Sequence, residues 1–361
     1  MSRIAVLGAG NGGLATTADL TLKGHEVNLY NRSPGVLDAI EQRGGVGLTG
    51  VLGDHTVAPR DTTTDVARAI KGADVVVVVL PATAHSSIAA ELARSLEPGA
   101  PVLLNPGHMC GSLHFRGTIA QHGGSVPPLA ELGTLTYVCR SSGDGAVDVY
   151  LRTTEVPLAI IPRDNEVTGA CVRALFPDVR IAHPIEVWLH DVNMVLHPPG
   201  MILAAAWIES TGGAFRFYSD GVTPAVASVM ESLDRERGEV GRAFGFNLRE
   251  LGPTMAALGT ADAEAARRGD LRSAVAQGQA NQTIQAPSSL DHRYLHEDIS
   301  FGLVPFTELA RAAGVATPTA DALIELARVI TKQDLSANGL NSSRLGIAGL
   351  DASGIKEVAE G

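Results

Sequence analysis

The chain has 361 residues, of which 45% are hydrophobic and 19% charged, and its formal net charge is −11. This length suffices for about two domains, each with a core of its own. The negative balance argues against a surface for nucleic acid or anionic membrane, so we expect an anionic substrate to be bound by locally placed arginines.

The cysteines and the apolar segments favour a cytoplasmic protein without a metal site. Cys110, Cys139 and Cys171 have no metal-ligand spacing and cannot all pair with one another, which indicates a reducing compartment. The longest apolar run, residues 73–82, is too short to span a bilayer. Because the N-terminus enters a strand pattern at once, we expect no secretory signal.

The first 105 residues alternate short β-branched runs with helical patterns. Such alternation predicts a parallel sheet with helices on both faces. The glycine-rich segment 44–54 lies among these runs without a predicted element. Predicted strands cover 3–8, 25–31, 74–81 and 101–107, and predicted helices cover 12–24, 64–73 and 85–98.

The pattern changes twice further along the chain. Between 126 and 182 it predicts strands separated by turns, and from about 184 onward it is almost wholly helical. We therefore predict an α/β plus all-α protein. An N-terminal Rossmann-type doubly wound sheet is expected in residues 1–183, followed by a C-terminal helical domain in residues 184–361.

The segment "GAGNGG" follows the first predicted strand and opens the first predicted helix. In the pattern G-x-G-x-x-G, Gly8 permits the tight turn, Gly10 lets the backbone approach a pyrophosphate, and Gly13 allows close packing of helix on strand. The helix N-terminus, which includes Asn11 and Gly12, offers N–H groups and a positive dipole end to the phosphates. This segment predicts a dinucleotide site.

The end of the second predicted strand indicates which dinucleotide binds. An NAD site usually carries Asp or Glu there, whereas this chain has Asn31-Arg32-Ser33. An arginine beside small donors suits a 2′-phosphate, so we favour NADP(H), with NAD(H) as the alternative if Arg32 is only a solvated loop residue. Further cofactor contacts are expected from the ends of later strands, at Leu80-Pro81 and at 105–108.

A helix carrying two histidines is predicted around "LHDVNMVLHPPGM". On an α-helix His190, Asn193 and His197 share one face, because they lie three and four residues apart. Pro198-Pro199 would remove two backbone donors, so we expect the helix to kink or end after His197. The residues alone leave two interpretations of His197 open, a helix cap and a catalytic group.

A second polar cluster, residues 290–305, is dense in ionisable groups. Arg293 and Glu297 are spaced for a surface ion pair worth roughly 0.3 kcal/mol. Arg293 and Asp298 lie five residues apart and would point to different sides of a regular helix. If both serve one site, the segment cannot be a simple helix throughout.

At these motifs the sequence resembles the opine dehydrogenases, the octopine/nopaline dehydrogenase family, over essentially the whole chain. The pairing of N-x-x-x-H-P at 193–198 with R-Y-x-x-E-D at 293–298 is specific to this family. Ketopantoate reductase and glycerol-3-phosphate dehydrogenase, which resemble it in architecture, place a lysine where this chain has His197. Further shared motifs are "LNPGH" (104–108), "VCRSS" (138–142) and "LGIAGLDASGI" (345–355).

The resemblance implies a Rossmann domain, a helical domain and a substrate cleft between them. It implies a reductive condensation, in which the α-amino group of an amino acid joins an α-keto acid and a nicotinamide hydride reduces the imine. By position, His197 is the family's catalytic histidine, Asp298 the acid that orients it, and Arg293 the arginine that binds a substrate carboxylate. Asn193 is expected to make a second substrate contact.

One departure from the family concerns the cofactor. A family member that the chain resembles has an acid at the end of the second strand, where this chain has Asn31-Arg32-Ser33. That difference puts the family's use of NAD in doubt here. Two rival functions stay open: a reductase of 2-oxo or 2-hydroxy acids without an amine partner, and a dinucleotide-binding sensor without catalysis. Size and family lead us to expect a homodimer.

Overall fold

The computed structural model describes residues 1–361, and its N-terminal part contains twelve strands in two sheets. The strands are β1 (Arg3–Leu7), β2 (Glu26–Tyr30), β3 (Val46–Gly50), β4 (His55–Val57), β5 (Asp61–Thr63), β6 (Val75–Val78), β7 (Val102–Leu104), β8 (Leu129–Leu132), β9 (Tyr137–Ser141), β10 (Ala146–Arg152), β11 (Val156–Ile161) and β12 (Val179–Ile181). The larger sheet has the order β12-β11-β8-β7-β6-β1-β2-β5, and only β8 and β11 pair antiparallel. The predicted Rossmann-type sheet is thereby confirmed.

Both faces of this sheet are buried, as its apolar runs predict. Val75 and Val77 of β6 belong to one hydrophobic cluster, whereas Val76 and Val78 belong to another. Successive side chains of a strand point to opposite faces, so each face has its own core under its own helices. These helices are α1 (Asn11–Leu22), α2 (Gly35–Arg43), α3 (Val66–Ile70), α4 (His85–Ser95), α5 (Gly111–Gln121) and α6 (Glu166–Leu175).

The glycine-rich segment 44–54, which had no predicted element, contributes a strand to the smaller sheet. This sheet has the order β4-β3-β10-β9. A Cβ atom at Gly47 would lie 2.8 Å from Cβ of Ala146 on β10, so glycine allows the close approach of the two strands. Glycine lowers the strand signal of a sequence, and the pattern therefore did not reveal β3.

The C-terminal part is helical, and the chain divides into two compact units. One unit comprises 1–107, 111–187 and 360–361, and the other comprises 108–110 and 188–359. No helix has the length and hydropathy needed to cross a membrane. The helices from residue 184 onward are α7 (Pro184–Trp188), α8 (Asn193–Leu203), α9 (Ala205–Thr211), α10 (Pro224–Ala243), α11 (Leu251–Ala257), α12 (Ala263–Arg267), α13 (Leu271–Gln277), α14 (Arg293–Asp298), α15 (Val304–Ala312), α16 (Pro318–Thr331), α17 (Ser342–Leu345) and α18 (Ala352–Glu360).

Helix α8 differs from its prediction at both ends. It begins only at Asn193, whose amide N–H donates to the carboxylate of Asp191 at 3.1 Å, so His190 lies outside the helix and shares no face with it. It continues through Pro198-Pro199 to Leu203, so the helix does not end after His197. The prolines are tolerated because almost the whole surface of α8 is buried, and packing outweighs the two lost backbone bonds.

Candidate active site

His197 has both ring nitrogens within hydrogen-bond distance of another side chain. Its Nδ1 is 2.7 Å from Oδ2 of Asp298, and its Nε2 is 2.9 Å from the hydroxyl of Tyr218. The ring of Tyr294 stacks on the imidazole, with centroids 3.7 Å apart and planes 9° apart. His197 is only 7% exposed, and these three contacts hold its ring in one orientation.

Asp298 is a buried carboxylate whose charge depends on its neighbours. Burial raises the pKa of Asp298, and the nearby charges of Asp191 and Glu297 act in the same direction. The hydrogen bond and the charge of His197 oppose that rise. The two residues therefore form a buried, hydrogen-bonded acid–base pair.

The helix that carries Asp298 changes type directly after it. α14 ends at Asp298, and the chain continues as a π-helical turn over Ile299–Leu303. Such turns occur frequently at functional sites. Gly302 brings the turn against α8, because a Cβ atom there would lie 2.9 Å from Cβ of Met194. The segment is not a regular α-helix throughout.

Arg293 contacts Glu297 rather than His197 or Asp298. Its Nε and Nη2 atoms lie 2.8 and 2.5 Å from Oε2 of Glu297, and its Nη1 has no protein partner. The expected ion pair is confirmed, but only Arg293 lies at the surface, since the Glu297 side chain is 3% exposed and that of Arg293 is 56% exposed. The side-chain amide of Asn193, at the start of α8, also makes no hydrogen bond. Both residues keep donors that an anionic ligand can use.

His108 lies among carboxylates, although its segment was expected to contact the cofactor. Its Nδ1 is 3.4 Å from Oδ2 of Asp191, and its Nε2 is 3.5 Å from Oε1 of Glu297. Burial lowers its pKa, but the hydrogen bond to Asp191 and the charges of Glu297, Asp191 and Asp298 raise the pKa of His108 to about 9 overall. The side chain is therefore an imidazolium at neutral pH.

The glycine loop has the form that a dinucleotide pyrophosphate requires. Gly8 has φ of 116°, and a Cβ atom on it would lie 2.4 Å from the carbonyl oxygen of Val79. A Cβ atom on Gly13 would lie 1.8 Å from the Gly8 carbonyl oxygen, so helix and loop touch. Gly10, the N-cap of α1, faces open space and no side chain caps this helix. The residues present therefore fit a bound pyrophosphate.

Two asparagines near the loop have structural contacts. The Oδ1 atom of Asn31 accepts the N–H of Ala9 at 3.2 Å, and its Nδ2 donates to the carbonyl oxygen of Ser33. The Oδ1 atom of Asn11 accepts the N–H of Ser141 at 2.9 Å. Both side chains thus fix the loop, and no acid stands at the end of β2.

The remaining residues expected at the cofactor lie around the same loop. Arg32 and Ser33 are exposed, and Arg32 makes no ion pair. Leu80 and Pro81 follow β6, and the Leu80 side chain lies 2.8 Å from where a Cβ of Gly8 would stand. A Cβ atom on Gly12 would meet the side chain of Leu135 at 2.6 Å.

The sequence did not reveal the contacts of three side chains: those of Tyr218 and Tyr294 with His197, and those of His108 with the carboxylates of Asp191 and Glu297. Tyr218 lies in the turn between α9 and α10, where no motif marked it. Tyr294 was part of the R-Y-x-x-E-D motif, but only the stacking distance reveals its contact with His197. The left-handed backbone of His108, with φ of 66°, has no signal in the sequence.

A Rossmann unit with a glycine loop, together with a helical unit that bears a buried His–Asp pair, defines an NAD(P)-dependent oxidoreductase. The model of the NAD/NADP octopine/nopaline dehydrogenase alpha-helical domain matches residues 180–331, and that of ketopantoate reductase PanE/ApbA matches residues 4–105. The chain is 34% identical over 359 residues to an opine dehydrogenase of Arthrobacter sp. (strain 1C), covering 99% of this chain and 98% of the relative. The chain belongs to the opine dehydrogenase family.

Solved structures agree in fold. Octopine dehydrogenase with NADH and L-arginine superposes with a TM-score of 0.75 at 22% identity, covering 98% of both chains. NADP⁺-bound yersinopine dehydrogenase superposes with a TM-score of 0.72 at 15% identity, covering 100% of this chain and 98% of the other. The predicted family and reaction class are confirmed: the chain is an NAD(P)-dependent oxidoreductase of CH–NH bonds, which condenses an amino acid with a keto acid reductively.

Proposed function

We propose that His197 transfers the protons of this condensation. Asp298 orients the imidazole ring and stabilises its protonated form. The observation that carries the proposal is the 2.7 Å contact between Nδ1 of His197 and Oδ2 of Asp298. With Nδ1 committed to the carboxylate, Nε2 is the atom that exchanges protons with the substrate. Histidine suits this task, because its ordinary pKa lies close to neutral pH.

The proton balance requires one group that works in both directions. His197 accepts a proton from the ammonium group of the amino acid, and the amine nitrogen adds to the keto carbon. A second proton from this nitrogen goes to the keto oxygen and gives a hydroxyl. His197 then returns its proton to this hydroxyl, so that water leaves and a protonated imine forms. The imine carbon accepts a hydride, which a reduced nicotinamide supplies when it is bound.

Arg293 and Asn193 are proposed to bind the substrates. Both substrates carry carboxylates, and the free Nη1 of Arg293 offers two donors in a planar fork. The unbonded side-chain amide of Asn193 lies one helical turn before His197. Together they supply donors for a carboxylate and for a polar group next to the reacting carbon.

NADP(H) is the proposed cofactor, with NAD(H) as the weaker one. Arg32 is exposed and makes no ion pair, so its guanidinium is available for a 2′-phosphate. Asn31 stands where an acid would accept from a ribose 2′-hydroxyl, and its side chain is bonded to the glycine loop instead. The absence of an acid removes the charge that would repel the phosphate.

The decisive experiment measures NADPH oxidation with pyruvate, with and without a panel of amino acids. Pyruvate is chosen because it accompanies NADH in a solved octopine dehydrogenase. An opine dehydrogenase oxidises NADPH only when an amine is present, and the product contains a new C–N bond. Turnover without any amine would instead support the rival function, a reductase of 2-oxo acids. This rival is tested because residues 4–105 match the family model of ketopantoate reductase.

A His197→Ala variant completes the test of the proposed function. It should abolish turnover and leave the dissociation constant for NADPH nearly unchanged, because the nucleotide lies on the glycine loop. Activity that survives this change refutes the proton-transfer role.

The expected homodimer stays a prediction, which light scattering on the purified protein measures directly.

A further inference from the structure

A buried charge cluster around His108 is not used by the proton transfers proposed above. His108 lies between the carboxylates of Asp191 and Glu297, at 3.4 and 3.5 Å, and none of the three side chains is more than 7% exposed. Asp298 follows Glu297 in the chain and adds its charge. Charges are buried in this manner only when they are paired, so the cluster needs its imidazolium.

Glu297 joins this cluster to Arg293 through its two oxygens. Its Oε1 faces Nε2 of His108, and its Oε2 accepts from Nε and Nη2 of Arg293. A neutral residue at 108 would leave Glu297 to cancel the guanidinium charge alone, with Asp191 adding a further negative charge. When His108 is charged, one carboxylate is shared by two cations, and Arg293 keeps positive charge for an incoming anion.

We propose that His108 is a positioning residue, which balances Glu297 and thereby keeps Arg293 available for the carboxylate of a substrate. The inference rests on the proposed function, since it assumes that Arg293 meets such a carboxylate. The backbone supports a specific role. His108 has φ of 66°, a conformation that residues other than glycine adopt rarely and that recurs at functional sites.

The test replaces the charge and keeps the backbone. In His108→Asn the side chain is neutral, and asparagine tolerates the left-handed region. The probes are pyruvate and N-acetylalanine, because neither carries a group that titrates near pH 9. Their dissociation constants are measured on the enzyme saturated with NADP⁺, without amine.

We expect the variant to bind at least one probe about tenfold more weakly, while kcat at saturating substrate falls by less than about threefold. In the wild-type enzyme the same dissociation constant should be flat around neutral pH and rise as the pH passes about 9, where His108 loses its proton. In the variant the dissociation constant should be high at every pH.

Two further variants separate charge balance from structural damage. Adding Glu297→Gln to His108→Asn removes the unbalanced carboxylate and should bring the dissociation constant back to within about threefold of the wild-type value. His296→Asn is the matched control. His296 lies on α14, between Arg293 and Glu297, but it pairs with the exposed Asp291 at 2.7 Å. That control should leave both constants unchanged.

An unchanged dissociation constant for both probes in His108→Asn overturns the proposal, as does a loss confined to kcat. If the variant does not fold, the wild-type profile decides, and constants that stay flat to about pH 10 overturn it as well. Failure of the proposed function appears separately, as NADPH oxidation that needs no amine, in the wild-type enzyme and without reference to His108.

Discussion

The hydroxyl of Tyr218 lies 2.9 Å from Nε2 of His197, while Asp298 holds Nδ1 of the same ring. The nitrogen that must exchange protons with a substrate is therefore already in contact with a hydroxyl. The hydroxyl occupies the position at which a proton leaves or enters the ring. Tyr218→Phe removes that oxygen and keeps the aromatic ring that packs beside Phe217. We expect kcat to fall about tenfold with little change in KM, as steady-state kinetics would measure. An unchanged kcat would mean that substrate displaces the hydroxyl without cost.

Asp298→Asn tests the coupling within the pair. The amide keeps the size of the carboxylate but cannot stabilise a protonated His197, and it favours the wrong tautomer of the ring. We expect kcat to fall by roughly a hundredfold or more, with the dissociation constant for NADPH unchanged. Asp291→Asn, at an exposed carboxylate near α14, is the control and should retain full activity. A loss below about threefold in Asp298→Asn would rule out the orienting role.

Arg32→Ala addresses cofactor choice. Without the guanidinium a 2′-phosphate loses its charged partner, so KM for NADPH should rise about tenfold or more while KM for NADH stays nearly constant. Arg60→Ala serves as the comparison, since Arg60 is also an exposed arginine of this unit but pairs with Glu26. Equal losses with both nucleotides would contradict a phosphate-binding role for Arg32.

Alanine substitutions at Gly10 and Gly13 distinguish the role of the glycine loop in cofactor binding from its role in packing. A Cβ atom at Gly13 would overlap the Gly8 carbonyl oxygen, so Gly13→Ala should lower the melting temperature of the protein even without nucleotide. A Cβ atom at Gly10 meets nothing, so Gly10→Ala should fold normally. It should nevertheless weaken the binding of NADPH and NADH alike, because the methyl group points to the space assigned to the pyrophosphate. Calorimetric melting and nucleotide titration measure the two effects, and unchanged affinity in Gly10→Ala would place the phosphates elsewhere.

The charge on His108 makes stability depend on pH. Its pKa is raised from 6.5 to about 9 in the folded chain, so folding favours the protonated form. This contribution is complete below the unfolded value and is lost as the pH rises through about 9. The free energy of unfolding from urea titrations should therefore fall between about pH 6.5 and 9.5, by up to about 3 kcal/mol. The same titrations on His108→Asn should show a flatter dependence, and an equal slope in both proteins would refute the assignment.

Most of the first 105 residues could be read from local patterns, namely β1-α1-β2 and α3-β6-α4-β7, whereas α2, β3, β4 and β5 between them were not predicted. β-branched runs such as Val75–Val78 and the turn chemistry of Gly8 and Gly13 act over a few residues, so their structural meaning is carried by neighbouring positions. The family motifs added His197 and Asp298, which are 101 residues apart and which no periodicity could have paired.

The prediction for α8 was wrong where local rules met tertiary packing. Two prolines would break an isolated helix, yet α8 continues through Pro198-Pro199 because its buried surface outweighs the lost backbone bonds. The strand β3 was missed for a related reason. Its glycines have little strand preference, and only pairing with β10 and β4 gives them a place in a sheet.

By itself, the sequence determined a Rossmann-type domain with a dinucleotide loop, a helical domain, and the family whose motifs include His197, Arg293 and Asp298. Only the tertiary structure decided which side chains surround them: Tyr218 on Nε2, Tyr294 on the ring face, and His108 between two carboxylates. The physical reason is the separation along the chain over which each kind of interaction acts. Periodicity, caps and turns are set by residues a few positions apart, whereas contacts and the raised pKa of His108 depend on burial and on charges from distant segments.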